Sequence, residues 1–93
     1  MIPDKVRRKV LERDSYDDRP CCAFCGSPYN IDLHHYVERS RFGKDDERNL
    51  ICLCHEHHMM LHSQDYENMQ AFVKAYLSEH YENWNEKELI WSK

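Results

Sequence analysis

Cysteines and histidines occur in this chain at spacings typical of metal ligands. The 93 residues include five cysteines and seven histidines. Two pairs have a two-residue spacer, namely Cys22-x-x-Cys25 followed by Gly26, and Cys54-x-x-His57. This spacer lets both side chains of a tight turn face one ion, and three thiolates with one imidazole suit tetrahedral Zn²⁺. The spacing therefore predicts a structural zinc site formed by Cys22, Cys25, Cys54 and His57.

Three further residues are alternative ligands for this site. Cys21, Cys52 and His55 each lie close in sequence to a favoured ligand and can replace it. The two-residue spacers favour the set given above. The competing explanation is that the cysteines are simply small apolar side chains buried in the core. That explanation accounts less well than metal binding for cysteines interspersed with histidines. An odd number of cysteines also argues against a complete set of disulfides.

The remaining histidines predict a second site on the helix that residues 54–62 are expected to begin. His58 and His62 are four residues apart, so on a helix they project from one face. His57 points about 100° away from His58 on the same helix. One helix can therefore supply a ligand to the zinc site and two ligands to another ion.

A strand supplies the other half of this second site. Residues 31–37 alternate as strands do, so His34 and His35 point to opposite faces. One of the two can join the helical histidines on an ion. The other is left for proton transfer, because an imidazole titrates near neutral pH.

The elements that position these side chains form one small α+β domain, residues 1–93, with a motif core of residues 20–63. Residues 49–53 have the apolar pattern of a second strand. The charged residues 38–48 join it to the first strand as a loop, and residues 15–20 are also expected to be a loop.

Two helices flank this core in the sequence pattern. Residues 3–13 predict a short helix, since Pro3 suits its first turn. Residues 66–84 predict a long C-terminal amphipathic helix with an apolar stripe at helical spacing. The stripe is expected to pack in the core, and it comprises Met69, Phe72, Val73, Tyr76, Leu77, His80, Tyr81 and Trp84. The tail beyond it contains Leu89, Ile90 and Trp91, which can dock on the domain or form a dimer.

Composition limits the classes of function that the chain can have. The hydrophobic fraction of 41% and the charged fraction of 32% are those of an ordered globular domain. A domain of this length has a thin core, and a bound metal can supply folding energy. No apolar run is long enough to span a membrane, and the N-terminus has no signal-peptide core. We expect a cytoplasmic protein with no membrane partner.

Charge is distributed unevenly along the chain. The net charge is −4, and it arises from residues 51–93, while residues 1–50 are balanced. Basic groups that could contact phosphates therefore lie in the first half, and the candidates on the loop include Arg39, Arg41 and Lys44. The acidic balance argues against tight non-specific binding to nucleic acid.

The motifs together resemble one known family. They are Arg13-Asp14, Cys22-x-x-Cys25-Gly26, Leu33-His34-His35, Asn49-Leu50, Leu53-Cys54 and His57-His58-x-x-x-His62, and in this order they resemble the HNH endonucleases of the zinc-knuckle subtype. The resemblance covers roughly residues 3–63. It implies a zinc-stabilised ββα-metal fold with a helix on either side. It also implies a metal-dependent endonuclease that hydrolyses phosphodiester bonds of DNA, by nicking or by cleavage.

The resemblance also implies roles for individual residues. His34 corresponds to the metal ligand of the signature strand and His35 to the general base that follows it. Asn49 corresponds to the central asparagine, which fixes the loop that holds the base. Asp32 occupies a position where the family often has a carboxylate, and can orient a metal ligand. The remaining ligands of the catalytic ion fall on the helix, at His58 and His62.

Two departures from the family pattern affect the choice of metal. The second knuckle is Cys-x-x-His where many relatives have Cys-x-x-Cys. The catalytic site has three neutral imidazoles and no carboxylate, which is closer to the bacteriocin nucleases of the family. Imidazole suits Ni²⁺, Co²⁺, Zn²⁺ and Mn²⁺, whereas Mg²⁺ prefers oxygen ligands. We therefore expect Ni²⁺, Co²⁺ or Mn²⁺ to support cleavage better than Mg²⁺.

The expected partner is DNA, and a second copy of the chain or a phage packaging protein is a further candidate. Small proteins of this family often come from bacteria, phages or mobile elements, and act inside the cell. The alternative function is a non-catalytic zinc-binding module that recognises nucleic acid or protein. Such a module has no need for the second set of histidines, so the number of bound metals distinguishes the two.

Overall fold

The computed structural model describes residues 2–91 and has an α+β architecture. In chain order the elements are helix α1 (Asp4–Arg13), strands β1 (Ser15–Tyr16), β2 (Arg19–Pro20), β3 (Ile31–His35) and β4 (Leu50–Cys54), and helices α2 (His55–Met60) and α3 (Tyr66–His80). Single turns of 3₁₀ helix occur at Arg39–Arg41, Glu47–Asn49 and Glu86–Leu89. The order β3, β4, α2 is consistent with a ββα-metal fold, as the sequence predicted.

Strands β3 and β4 form the antiparallel hairpin on which the site is built. Their register pairs Ile31 with Cys54 at one end and His35 with Leu50 at the other. Every residue of β4 is buried, because helices cover both of its faces. Such a strand has a continuous apolar sequence, which is what residues 50–53 show.

The core lies on both sides of β4. On one face, Leu50 and Cys52 pack with Val10 of α1. On the other face, Ile51 and Leu53 pack in a cluster with residues of α3. Of the stripe predicted for this helix, three residues are fully enclosed, namely Met69, Val73 and Leu77. Phe72, Tyr76 and Trp84 are partly buried against the same cluster, so most of the stripe is core packing, as expected. His80 is exposed, so its expected place in the core is wrong.

The Arg13-Asp14 pair joins α1 to both β4 and α3. Asp14 is buried, and its carboxylate accepts hydrogen bonds from the Cys52 amide at 2.9 Å and the Tyr76 hydroxyl at 2.5 Å. Arg13 donates to Asp14 and to the Leu50 carbonyl, the latter at 2.6 Å. Burial acts to lower the pKa of Arg13, but its bonds to Asp14 outweigh burial and raise the pKa. The buried charge is therefore paired, as a low-dielectric site requires.

Residues 15–20 form a tight hairpin, so the loop predicted there is wrong. Strands β1 and β2 pair with Ser15 opposite Pro20. The two residues between the strands, Asp17 and Asp18, have φ angles of 56° and 63°. Two successive left-handed residues give the turn whose twist suits a two-residue hairpin, and aspartate tolerates this conformation.

Helices α2 and α3 are both shorter than predicted. Helix α3 ends at His80, not at residue 84, because Tyr81 is extended and Asn83 has a φ of 59°. Helix α2 ends at Met60, so His62 lies just beyond it. The amides of residues 61 and 62 bond to carbonyls three residues back, at 3.1 and 2.9 Å, which is a 3₁₀ turn and not a further α turn.

The C-terminal tail docks on the loop between β3 and β4. Leu89 is fully buried, and Ile90 forms a bridge with Gly43. The Lys44 amide donates to the Leu89 carbonyl at 2.8 Å. Gly43 is required there, since a Cβ at this position would lie 1.8 Å from the Val37 carbonyl oxygen. The tail thus holds the loop that follows the predicted catalytic strand.

Candidate active site

Four side chains converge at the base of the β3–β4 hairpin. The ligand atoms of Cys22, Cys25, Cys54 and His57 all lie within 4.8 Å of one another. The Cys25 and Cys54 sulfurs are 3.8 Å apart, and the Cys54 sulfur is 3.1 Å from His57 Nδ1. Two sulfurs bound to one Zn²⁺ at about 2.3 Å are separated by about 3.8 Å in a tetrahedron. The cluster could therefore hold a structural metal, and it is the set that the spacing favoured.

Backbone geometry around Cys22 and Cys25 forms the first knuckle. Gly26 has a φ of 80°, and its amide donates to the Cys22 carbonyl at 2.8 Å. A backbone hydrogen bond from Ser27 acts to lower the pKa of Cys25, but partial burial and the thiols of Cys22 and Cys54 raise it to about 11. Thiols crowded in this way lose protons readily only when a cation is present to balance the thiolates.

The alternative ligands lie away from this cluster. The Cys21 thiol donates to the Arg19 carbonyl at 3.2 Å. Cys52 is fully buried in the core, and burial raises its pKa to about 12, so it stays protonated. His55 is exposed and contacts Asp32 at 3.3 Å. Strand alternation places residues 52 and 54 on the same face of β4, but only Cys54 is at the end next to α2.

The second set of histidines lies on the other side of α2. The rings of His34 and His58 are 5.3 Å apart, and those of His58 and His62 are 5.9 Å apart. His34 is buried, and its Nε2 atom has no hydrogen-bond partner among residues 2–91. Burial, followed by the charges of His58, His35 and His62, lowers the pKa of His34 to about 4. A neutral imidazole with a buried, unpartnered nitrogen fits a metal ligand, because a metal would satisfy that atom.

Asp32 orients the helical member of this set. Its carboxylate oxygen lies 3.1 Å from His58 Nδ1. The hydrogen bond to His58 lowers the pKa of Asp32, so the carboxylate stays ionised. With Nδ1 occupied in this way, Nε2 of His58 is the nitrogen left to bind an ion. A carboxylate behind a ligating imidazole is a common arrangement in metal sites.

His35 lies on the same strand and is held by a residue that the sequence analysis missed. Its Nε2 atom is 2.7 Å from a carboxylate oxygen of Asp45. Arg39, which was predicted to contact phosphates, instead forms two hydrogen bonds of 3.1 Å to Asp45. Burial acts to raise the pKa of Asp45, but the bonds from His35 and Arg39 lower it. No spacing motif marks Asp45, because the path of the loop decides which carboxylate reaches the strand.

Asn49 fastens the loop that carries Asp45. The side chain is fully buried. Its Oδ1 accepts from the Val37 amide at 2.8 Å, and its Nδ2 donates to the Val37 and Lys44 carbonyls at 3.1 and 2.9 Å. Its own carbonyl accepts from the Tyr36 amide at 2.8 Å. One amide side chain thus closes both ends of the segment from residue 37 to residue 44.

The histidines line an open cleft of about 300 Å³. Its walls include His34, His35, His58, His62 and Arg39. The cleft therefore brings the predicted ligands and the predicted base to one surface. The other two predicted phosphate contacts lie apart from it, since Arg41 lines a neighbouring pocket and the Lys44 ammonium is 5.4 Å from the Trp91 ring centroid.

Fold and cysteine cluster together are consistent with a ββα-metal domain of the nuclease type. Residues 22–64 match the family model of the HNH endonucleases. This match agrees with the resemblance that the motifs predicted, and domains of this family are usually nucleases that act on DNA. A search among curated proteins gave no match. Within residues 2–91, no helix has both the length and the apolar character needed to cross a membrane.

Proposed function

We propose that this protein is a metal-dependent endonuclease that hydrolyses DNA phosphodiester bonds. The observation that carries the proposal is the buried, unpartnered Nε2 of His34 beside two further imidazoles, in the same cleft as a carboxylate-bound His35. Three imidazoles at one surface could hold a metal ion, and a fourth that is held by a carboxylate is suited to proton transfer. Within residues 2–91 the cysteine cluster is the one group of three or more such ligands whose donor atoms all lie within 4.8 Å of one another, so the three imidazoles would have to move closer together to share an ion.

His34, His58 and His62 would hold the catalytic ion, and the cysteine cluster with His57 would hold a structural Zn²⁺. When bound, the catalytic ion supplies Lewis-acid stabilisation of the charge that develops on the phosphate. Asp32 keeps His58 in the orientation that presents Nε2, and His34 is already neutral for the reason given above. Nitrogen ligands make Ni²⁺, Co²⁺, Mn²⁺ or Zn²⁺ better suited to this site than Mg²⁺.

His35 is the general base in this proposal. The Asp45 carboxylate accepts a hydrogen bond from Nε2 of His35, which places the ring proton on that nitrogen. In the neutral ring the other nitrogen, Nδ1, then has the free lone pair that can take a proton from water. The hydroxide attacks phosphorus in line, the bond from phosphorus to the 3′-oxygen breaks on the opposite side, and the leaving 3′-oxygen takes a proton from solvent. By family resemblance the products have 5′-phosphate and 3′-hydroxyl ends.

A non-catalytic zinc module is the competing function. The cysteine cluster suits it equally, but the cleft of histidines has no purpose in it. Elemental analysis after incubation with Co²⁺ or Ni²⁺ separates the two: the nuclease binds two ions per chain, and the module binds one. The homodimer, the phage packaging partner and the intracellular location stay predictions.

Cleavage of supercoiled plasmid across several divalent ions tests the proposal. We expect His35→Ala to lower the rate by about 10²- to 10⁴-fold, the usual range for a lost acid or base, with folding and DNA binding preserved. His80→Ala is a matched control, because His80 is exposed on α3, does not line the cleft, and contacts Tyr76 through a hydrogen bond and a ring contact. Wild-type protein that cleaves with none of the ions, or His35→Ala protein that cleaves normally, would contradict the proposal.

A further inference from the structure

A second cavity, which we call the inner pocket, adjoins the cleft of histidines. Its volume is about 240 Å³, and it is more enclosed than the cleft. His34 and His62 line both cavities, whereas His35 lines the cleft alone. Two of the predicted metal ligands, His34 and His62, therefore lie between the predicted base and the inner pocket.

This arrangement determines which part of a substrate the inner pocket faces. In an in-line displacement the leaving group departs opposite to the attacking water. Water activated by His35 comes from the cleft, so the nucleotide that carries the leaving 3′-oxygen extends away from His35, toward the inner pocket. On the basis of the proposed nuclease function, we propose that the inner pocket holds the nucleobase of that nucleotide.

The charge of the inner pocket favours a base over a phosphate. Two of its lining residues are acidic, Glu38 and Glu86, and one is basic, Arg41, so the lining has an excess of negative charge. Glu86 is ionised, because the hydrogen bond from Lys74 lowers its pKa, and it accepts a hydrogen bond from the Tyr36 hydroxyl at 3.0 Å. This excess of negative charge disfavours a phosphate, whereas a nucleobase has no net charge to be repelled.

Tyr66 and Gln70 supply the contacts that a base would use. The Tyr66 ring lines the inner pocket and is 42% exposed, so its face is open to stacking. The Gln70 side chain donates to the Tyr36 carbonyl at 3.0 Å. This bond fixes the amide, and its oxygen has no partner within residues 2–91, so it can accept a hydrogen bond from a base.

A base in an enclosed pocket cannot stay paired and stacked in a duplex. The enzyme must then act on an unpaired nucleotide or extrude one, and extrusion costs least in single-stranded or mismatched DNA. We therefore expect single-stranded or gapped DNA to be cleaved faster than the same sequence as an intact duplex.

Abasic substitution tests the inner pocket directly. The cleavage site is first mapped on a single-stranded oligonucleotide, and an abasic residue is then placed on the 5′ or the 3′ side of that phosphate. The dissociation constant is measured with His35→Ala protein, and kcat/KM with wild-type protein. We expect the 5′ substitution to weaken both by about 5- to 100-fold, the range for loss of one stacked base. The 3′ substitution should change them little.

The protein side of the contact is tested with Tyr66→Ala, with Tyr66→Phe retaining the ring and Tyr29→Ala as an exposed control outside the site. Tyr66→Ala should cause the same loss on the intact strand and no further loss on the 5′ abasic strand. The inference would be overturned if Tyr66→Ala lowered binding equally on the intact and the 5′ abasic strands, or if the 5′ abasic substitution had no effect on the wild-type protein. Either result would leave the nuclease function standing. A protein that cleaves no nucleic acid would overturn both.

Discussion

A single carboxylate determines which nitrogen of His35 faces the cleft. Asp45 binds Nε2 and is itself held by Arg39, so the ring cannot turn without breaking this pair of contacts. An aspartate that positions a histidine base also stabilises the imidazolium that forms when the base takes a proton. Asp45 is thus a positioning residue in the proposed mechanism, and Arg39 supports it.

Replacement of Asp45 by asparagine should reduce turnover more than substrate binding. An amide oxygen accepts a hydrogen bond from the imidazole less strongly than a carboxylate does. We therefore expect kcat to fall by about 10- to 100-fold, as is typical when the partner of an active-site imidazole is lost, and KM to stay nearly unchanged. Steady-state kinetics on a labelled oligonucleotide measures the split. Asp45→Glu should recover part of the loss. Asp18→Asn, in the exposed turn of the β1–β2 hairpin, is the matched control, and an equal effect there would argue against a positioning role.

The imidazole ligands also predict the order of metals. The three predicted ligands are neutral imidazole nitrogens. Mg²⁺ prefers oxygen ligands and binds imidazole poorly. At equal concentrations we expect Ni²⁺, Co²⁺ or Mn²⁺ to support faster plasmid cleavage than Mg²⁺. Rates measured in one titration series, with protein that retains its structural metal, provide the comparison. Clearly faster cleavage with Mg²⁺ would mean that oxygen ligands complete the site.

Residue types and spacing were enough to predict the cysteine cluster, because a short spacer restricts where two ligands can point. The same reasoning could not find Asp45 or the buried Arg13-Asp14 network. Those contacts depend on loops and on a helix end that meet elements far away in sequence. The roles of His34, His58 and His62 stay predictions, although the structure places their rings in one cleft.

At the scale of elements, the β3–β4 hairpin and α2 carry nearly all of the predicted chemistry. Period-two alternation and an apolar run predicted both strands. The sequence pattern overestimated the length of α3, because Trp84 continues the apolar stripe beyond the end of the helix. Trp84 still packs on Tyr36, with ring centroids 5.6 Å apart, and donates to the Arg48 carbonyl at 2.8 Å. Periodicity reports which side chains face the core, and it does not report where the helical hydrogen bonds stop.

The first knuckle allows a sharp test of the structural metal with two neighbouring thiols. Cys22→Ser should release zinc and unfold the domain, because structural zinc contributes about 10 kcal/mol or more to small metal-dependent domains. Cys21→Ser should keep the metal and cost about 1 kcal/mol or less, since a serine hydroxyl can make the same bond to the Arg19 carbonyl. Metal content and thermal melting measure both. Native melting of the Cys22→Ser protein would show that the cluster is not structural.

At the scale of the whole molecule, the residues described contain one cleft with these histidines per chain. If the proposed function is correct, one such site breaks one strand at a time. We therefore expect supercoiled plasmid to become open circular before linear DNA appears, as a gel time course at limiting enzyme would show. Linear product without a circular intermediate would require two sites acting together and would favour a dimer.

The position of α2 has a consequence for any chelation experiment. His57 and His58 are adjacent in this short helix, and they face the sulfur cluster and the cleft respectively. Removal of zinc would free the start of α2 and would therefore also separate the imidazoles of the cleft. Inactivation by a chelator thus does not identify which ion takes part in hydrolysis. Far-ultraviolet ellipticity recorded on the same sample separates the two losses. If activity is lost while the ellipticity is unchanged, the chelator has removed an ion bound by the imidazoles. If activity and ellipticity are lost together, the chelator has removed the ion bound by the thiolates.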